Sequence, residues 1–145
     1  MIKKFLLTSL LGYFMIMIGC NSAQRGKHLF ILSGQSNMEL LDPELSFAPL
    51  VSKNFGYENV IIVKDAWGGK PIMRWYKNWK LGSKFSPTGA DLYDSLIKKV
   101  NEAINNEKLS SISFFWMQGE RDAKMGYGEI YKESLIGIYD QLKED

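Results

Sequence analysis

Cysteine and histidine are almost missing from this chain: Cys20 and His28 are the only ones in 145 residues. One cysteine excludes an intrachain disulfide, and the pair leaves no cluster of soft metal ligands. An excess of one charge is lacking as well. The formal net charge is +2, and a domain starting beyond Lys3 and Lys4 is neutral. That excludes the bulk basic character of a nucleic-acid binder. The longest apolar run, Phe5 to Ile18, falls short of the roughly 20 residues a membrane-spanning helix needs. Two catalytic signatures are absent too. G-x-S-x-G would need glycine where Met38 stands. Gly69-Lys70 lacks the earlier glycine and the following Ser/Thr of a phosphate loop.

What is present begins with a leader. Met1-Ile2-Lys3-Lys4, a short apolar middle and Gly19-Cys20 describe an export signal. Met17-Ile18-Gly19-Cys20 resembles a bacterial lipobox, whose cysteine is lipidated and becomes the mature N-terminus. Residues 1–19 are thus expected to be a lipoprotein signal peptide, Cys20 its lipidation site and residues 20–26 a polar tether. The resulting location is a bacterial membrane, facing the periplasm or the cell surface. An ordinary cleaved signal or an uncleaved anchor is the alternative.

Residues 27–145, in a chain that is 46% hydrophobic, suffice for one domain with a real core. Three apolar runs read as strands: His28–Leu32, Val60–Val63 and Ser111–Met117. Glu39 to Phe55 is expected to be irregular, with Pro43 and Pro49 interrupting any long helix. Ala90 to Asn105 carries a helical apolar stripe, as does a last helix marked by Tyr131, Leu135, Ile138 and Leu142. Pro71 to Thr88 reads as a long loop. Strands alternating with helices imply parallel β/α units in an α/β sheet. The loops after all three strands then emerge on one sheet edge, where open α/β folds bind ligands.

Those loops carry Ser36, Gly68-Gly69 and Gln118. Ser36 is either a nucleophile or the N-cap of the next helix. As a nucleophile it needs donors for the developing oxyanion. Its own N–H, the N–H of Gly69 or Gly68, and the Gln118 amide can supply them. Gly34, before Ser36, allows a sharp bend or a positive φ.

The sequences GQSNM, AWGGKPIMRWYKNW and WMQGERDA resemble the SGNH-type hydrolases, in the sialate O-acetylesterase and carbohydrate esterase family 6 branch. The resemblance spans nearly all of the chain after residue 27. It implies a flavodoxin-like three-layer α/β/α sandwich with a parallel sheet, and hydrolysis of acetyl esters on carbohydrates without metal or organic cofactor. It implies Ser36 as nucleophile, with the WGG glycines and Gln118 in the oxyanion-binding blocks. The family's Asp-x-x-His motif near the domain's carboxyl end does not occur here. His28 begins the strand that Ser36 follows, beyond hydrogen-bond reach of it. The domain is therefore expected to be incomplete, missing its C-terminal strands and helix, and inactive as it stands. Ser111–Met117 would then present a bare apolar edge.

Among the surrounding residues, Trp75 reads equally as a sugar-stacking ring and as a loop anchor. Arg74 is a candidate receptor for a sugar carboxylate, beside the plainer reading of a solvated basic loop. Asn37, Glu120 and Asp122 are expected to support the site by holding its loops. Arg121 is expected to pair with a carboxylate. The rival to an esterase is a non-catalytic carbohydrate-binding surface lipoprotein on the same scaffold.

Overall fold

The computed structural model describes residues 26–86 and 88–145. The expected signal peptide, Cys20 and the tether up to Arg25 lie outside them.

The central element is strand β1 (Lys27–Gly34), with Leu29 through Gly34 buried without a break. Alternate residues face opposite sides, and both sides are covered, which is why its middle, Leu29 to Leu32, is apolar without alternation. On one side Phe30 and Leu32 meet Met38 of helix α1 (Ser36–Leu40) and Val51 of α2 (Phe47–Phe55). The expectation of an irregular 39–55 segment is corrected at its second half, which is helical, and Pro49 does not break α2. It lies in the first turn, where a backbone N–H has no partner within the helix anyway.

Strand β2 (Val60–Ala66) pairs parallel with β1. It runs past Val63 because its polar residues are neutralised locally. Lys99 pairs with the buried Asp65 at 2.5 Å, and Lys64 donates to the carbonyls of Glu39 and Leu41 at 2.6 and 2.5 Å. The segment after β2, expected to be irregular, contains a 3-10 turn at Ile72–Arg74 and a small hairpin of β3 (Lys80–Leu81) and β4 (Lys84–Phe85).

Helix α3 (Asp91–Ile104) covers the second side of the sheet, setting Leu96 and Val100 against Leu29, Ile31 and Val63. Strand β5 (Leu109–Met117) returns to the other flank of β1. Short α4 (Glu120–Met125) and long α5 (Gly128–Glu144) follow. The result is the α/β architecture expected, a parallel sheet of order β2-β1-β5 between two helical layers. A further apolar cluster, built on Ile72, Trp75, Trp79, Tyr93 and Ile138, ties the 72–79 segment to α3 and α5. β5 forms one flank of this sheet, with Ile112 and Phe115 exposed.

Strand order positions the site. The chain leaves β1 to one side for β2 and comes back on the other for β5. A crevice opens where those connections diverge, at the carboxyl end of the central strand.

Candidate active site

The crevice is set by close backbone contacts. Gly34 has φ 142°, and a Cβ there would collide with the Met117 carbonyl. That contact lets Gln35 donate to Met117 O at 2.9 Å, and Trp67 donates to Gly34 O at 2.9 Å. Three strand ends are thereby stitched together just before Ser36.

Ser36 is the first residue of α1, and Gln35 holds the capping position without a side-chain capping bond. The cap reading of Ser36 is therefore not what the structure has. The half-buried Ser36 instead faces an open cleft of about 340 Å³ lined by Gln35, Asn37, Gly69, Glu120, Arg121 and Lys124. Gly69 has φ 65° and open space where a Cβ would be. At the neighbouring Gly68 a Cβ would meet the carboxylate end of the exposed Glu39 side chain.

Gln118 belongs to the same network but lies behind the cleft wall. Its Nε2 donates to Asp122 Oδ2, to Lys70 O at 3.1 Å and to Gln35 Oε1 at 3.3 Å. An amide nitrogen has two protons, so protein acceptors already engage both. In this arrangement Gln118 ties the second and third loops together, with no N–H left over for an oxyanion. Its backbone carbonyl is fixed too, accepting from Tyr131 Oη at 2.5 Å.

Asp122 is 1% exposed. Its Oδ2 also accepts the Ile72 N–H at 2.9 Å, whereas Oδ1 has no partner. Burial pushes its carboxyl above the usual range, against the hydrogen bonds from Gln118 and Ile72 that pull it down. Asn37 donates to Glu120 Oε1 at 2.6 Å, linking α1 to α4. Asn37, Glu120 and Asp122 are thus all placed between loops.

Two substrate-binding expectations are corrected. Trp75 is fully buried, edge-on to Trp116 at 5.2 Å, and has no face for a sugar. Its apolar surface is spent in the core. Trp67, in the Gly-Gly loop itself, is the exposed tryptophan, at 41%. Arg74 is engaged by Asp91, donating from Nε and Nη2 at 2.6 Å each. That fork is the geometry Arg would use for a sugar carboxylate. Arg121, expected to pair with an acid, is in none of the ion pairs among the described residues. His28 is at the far end of β1, bonded to Ser111 Oγ at 2.7 Å and stacked on Phe55.

Gln35 escaped the sequence reading. It is buried, and its Oε1 also accepts the Arg121 N–H at 3.3 Å. A glutamine just before a candidate nucleophile was the available signal. Among the described residues no three His, Cys, Asp or Glu side chains are grouped to hold a metal ion.

A protein-family model described as carbohydrate esterase, sialic acid-specific acetylesterase, matches residues 39–145. The chain belongs to this family. Its members are esterases of acetylated carbohydrates, hydrolases acting on ester bonds, and the parallel α/β sheet is of the kind that the SGNH resemblance implies. The matched span takes in the Gly68-Gly69 and Gln118 loops and begins just after Ser36. Comparison with curated proteins finds no match, and neither does comparison with solved structures.

Proposed function

We propose that this esterase removes O-acetyl groups from carbohydrates through Ser36. The observation that carries the reading is convergence: a serine hydroxyl and the glycine loop share one cleft at the carboxyl end of the central strand. In this reading Ser36 Oγ attacks the acetyl carbon, and its proton passes through water, or through added imidazole, towards the departing sugar oxygen. The alcohol of the sugar then leaves and carries a proton away. Water releases acetate from the acetyl-serine and restores the hydroxyl. The N–H groups of Ser36 and of Gly69 are the oxyanion donors. Ser36, as the first helical residue, has no acceptor for its N–H within α1. Gly69 in its left-handed conformation leaves the loop backbone uncovered. Gln118, Gln35 and Asp122 serve as the brace that holds these donors.

The single histidine is remote, so the described residues offer Ser36 no imidazole base. Lipid anchoring through Cys20, and with it display on a bacterial membrane, is part of the same proposal. It is supported by the Met17–Cys20 sequence.

The test is acetate release from O-acetylated sugars by the full chain and by Ser36→Ala, with and without added imidazole. A rate that requires Ser36 and rises with imidazole is expected. Equal rates for the two proteins overturn the mechanism. They would leave the second reading, a sugar-binding protein without catalysis, which exposed Trp67, two residues before the cleft-lining Gly69, favours.

A further inference from the structure

The two edges of the sheet differ in their protection. Strand β2 carries Lys64 and Asp65, and inward-pointing charges of this kind guard an edge against a second chain. Strand β5 has no charge and no proline over its nine residues, Leu109–Met117. Its register shift against β1 lies at the start, opposite Lys27 and His28, so the rest of the edge runs unbroken. Met117 turns its carbonyl to the Gln35 N–H on the β1 side. Peptide groups alternate along a strand, so those of Ile112, Phe114 and Trp116 point away from β1. No strand pairs with them there among the described residues. Beside this edge a groove of about 380 Å³ runs between β5 and α5, lined by Ile112, Phe114, Tyr139 and Leu142. Ile112 is 58% exposed and Tyr139 54%. Ile136, exposed as well, lies three residues before Tyr139 on the same helix face.

We propose that β5 is a self-association edge, pairing antiparallel with β5 of a second copy about a two-fold axis at Ser113. In that register Ser113 faces its own equivalent, Ile112 faces Phe114 of the second copy, and Leu109 faces Met117. The outward peptide groups of Ile112 and Phe114 then stand directly opposite, as a hydrogen-bonded pair requires. Opposed residues are an even number apart, so each side chain keeps its face of the sheet. The strand's own chemistry selects a copy of itself as occupant. With no charge between Leu109 and Met117, self-pairing sets no like charges opposite each other, and Ile112 against Phe114 is a favourable β-branched–aromatic pair. The two α5 helices then approach across the axis, where Ile136 and Tyr139 of each close the groove. Covering the strand and these side chains on both copies removes on the order of 1,000 Å² from water, the least a specific interface needs. The two Ser36 clefts open at opposite ends of the shared sheet, clear of the interface. Neither the pairing nor its register depends on the esterase reading.

The test is sedimentation equilibrium of the full chain. A concentration-dependent dimer is expected, and Ile112→Lys should raise its dissociation constant by about tenfold or more. Ser113→Cys, at the axis, reads the register directly. Non-hydrogen-bonded opposed residues have Cα atoms about 4.5 Å apart, within disulfide range, so mild oxidation should join two copies. Ser111→Cys should not cross-link, because it stands roughly 13 Å along the strand from its own equivalent. The unaltered chain, oxidised alongside, gives the contribution of Cys20. Should Ile112→Lys fail to fold, the two cysteine variants still decide. A monomer at every concentration overturns the proposal; if its β5 amides nonetheless resist hydrogen exchange, residues 1–25 cover the edge instead. A dimer that a folded Ile112→Lys leaves intact overturns it too, as does equal cross-linking of Ser111→Cys and Ser113→Cys. Growth past the dimer into open aggregates does the same, because a two-fold pairing closes on itself.

Discussion

The Asp122 carboxylate accepts the backbone N–H of Ile72, a residue 50 positions away, at 2.9 Å. The same oxygen takes a hydrogen bond from Gln118. One buried side chain thereby fixes the loop after β2 to the loop after β5, on which the cleft depends.

Asp122→Ala leaves the Ile72 N–H and part of the Gln118 amide buried without acceptors, a loss of about 1–3 kcal/mol for each group stranded. Urea unfolding should show it as a lower midpoint. The pH dependence has a definite sign. The carboxyl is raised in the folded state, so the folded protein binds the proton more tightly than the unfolded chain. This contribution is complete below the unfolded value of about 4 and is lost as pH rises through the higher folded value. Asp122→Asn should remove that slope. A slope unchanged in Asp122→Asn would mean that the carboxyl does not titrate in its buried place.

Arg74 pairs with Asp91 at the start of α3, and that acid is half exposed. Arg74→Ala should cost about 1 kcal/mol or less and leave sugar binding unchanged. Denaturation and calorimetric titration with an O-acetylated acidic sugar measure the two effects. A selective loss of acidic-sugar binding would return Arg74 to the site.

Trp75 fills the core under the 72–79 segment. Trp75→Ala should lower stability by about 3–5 kcal/mol. Trp67→Ala, at an exposed position, should change it by about 0.5 kcal/mol at most. Thermal melts of the two variants separate the core ring from the surface ring.

Gly34 and Gly69 both have positive φ, but only Gly34 faces a carbonyl where a side chain would go. Gly69→Ala should lose about 1–2 kcal/mol from backbone strain alone. Gly34→Ala adds a collision with Met117 and should lose clearly more. Equal losses would show that the β1–β5 contact is softer than its geometry.

The sequence by itself determined the order of the three parallel strands and of α3 and α5, because hydrophobic periodicity is local and survives being read one segment at a time. It also marked Ser36, Gly69 and Gln118 as loop residues on one sheet edge, since parallel strands leave no other place for them. Tertiary structure decided what each of those residues touches. Trp75 and Trp67 are alike as residues, yet one is core and the other surface, depending on which helix packs over the loop. Gln118 turns its amide to Asp122 and Lys70, and Arg74 finds Asp91 while Arg121 stays unpaired. Such choices depend on partners distant in the chain, and no periodicity records them.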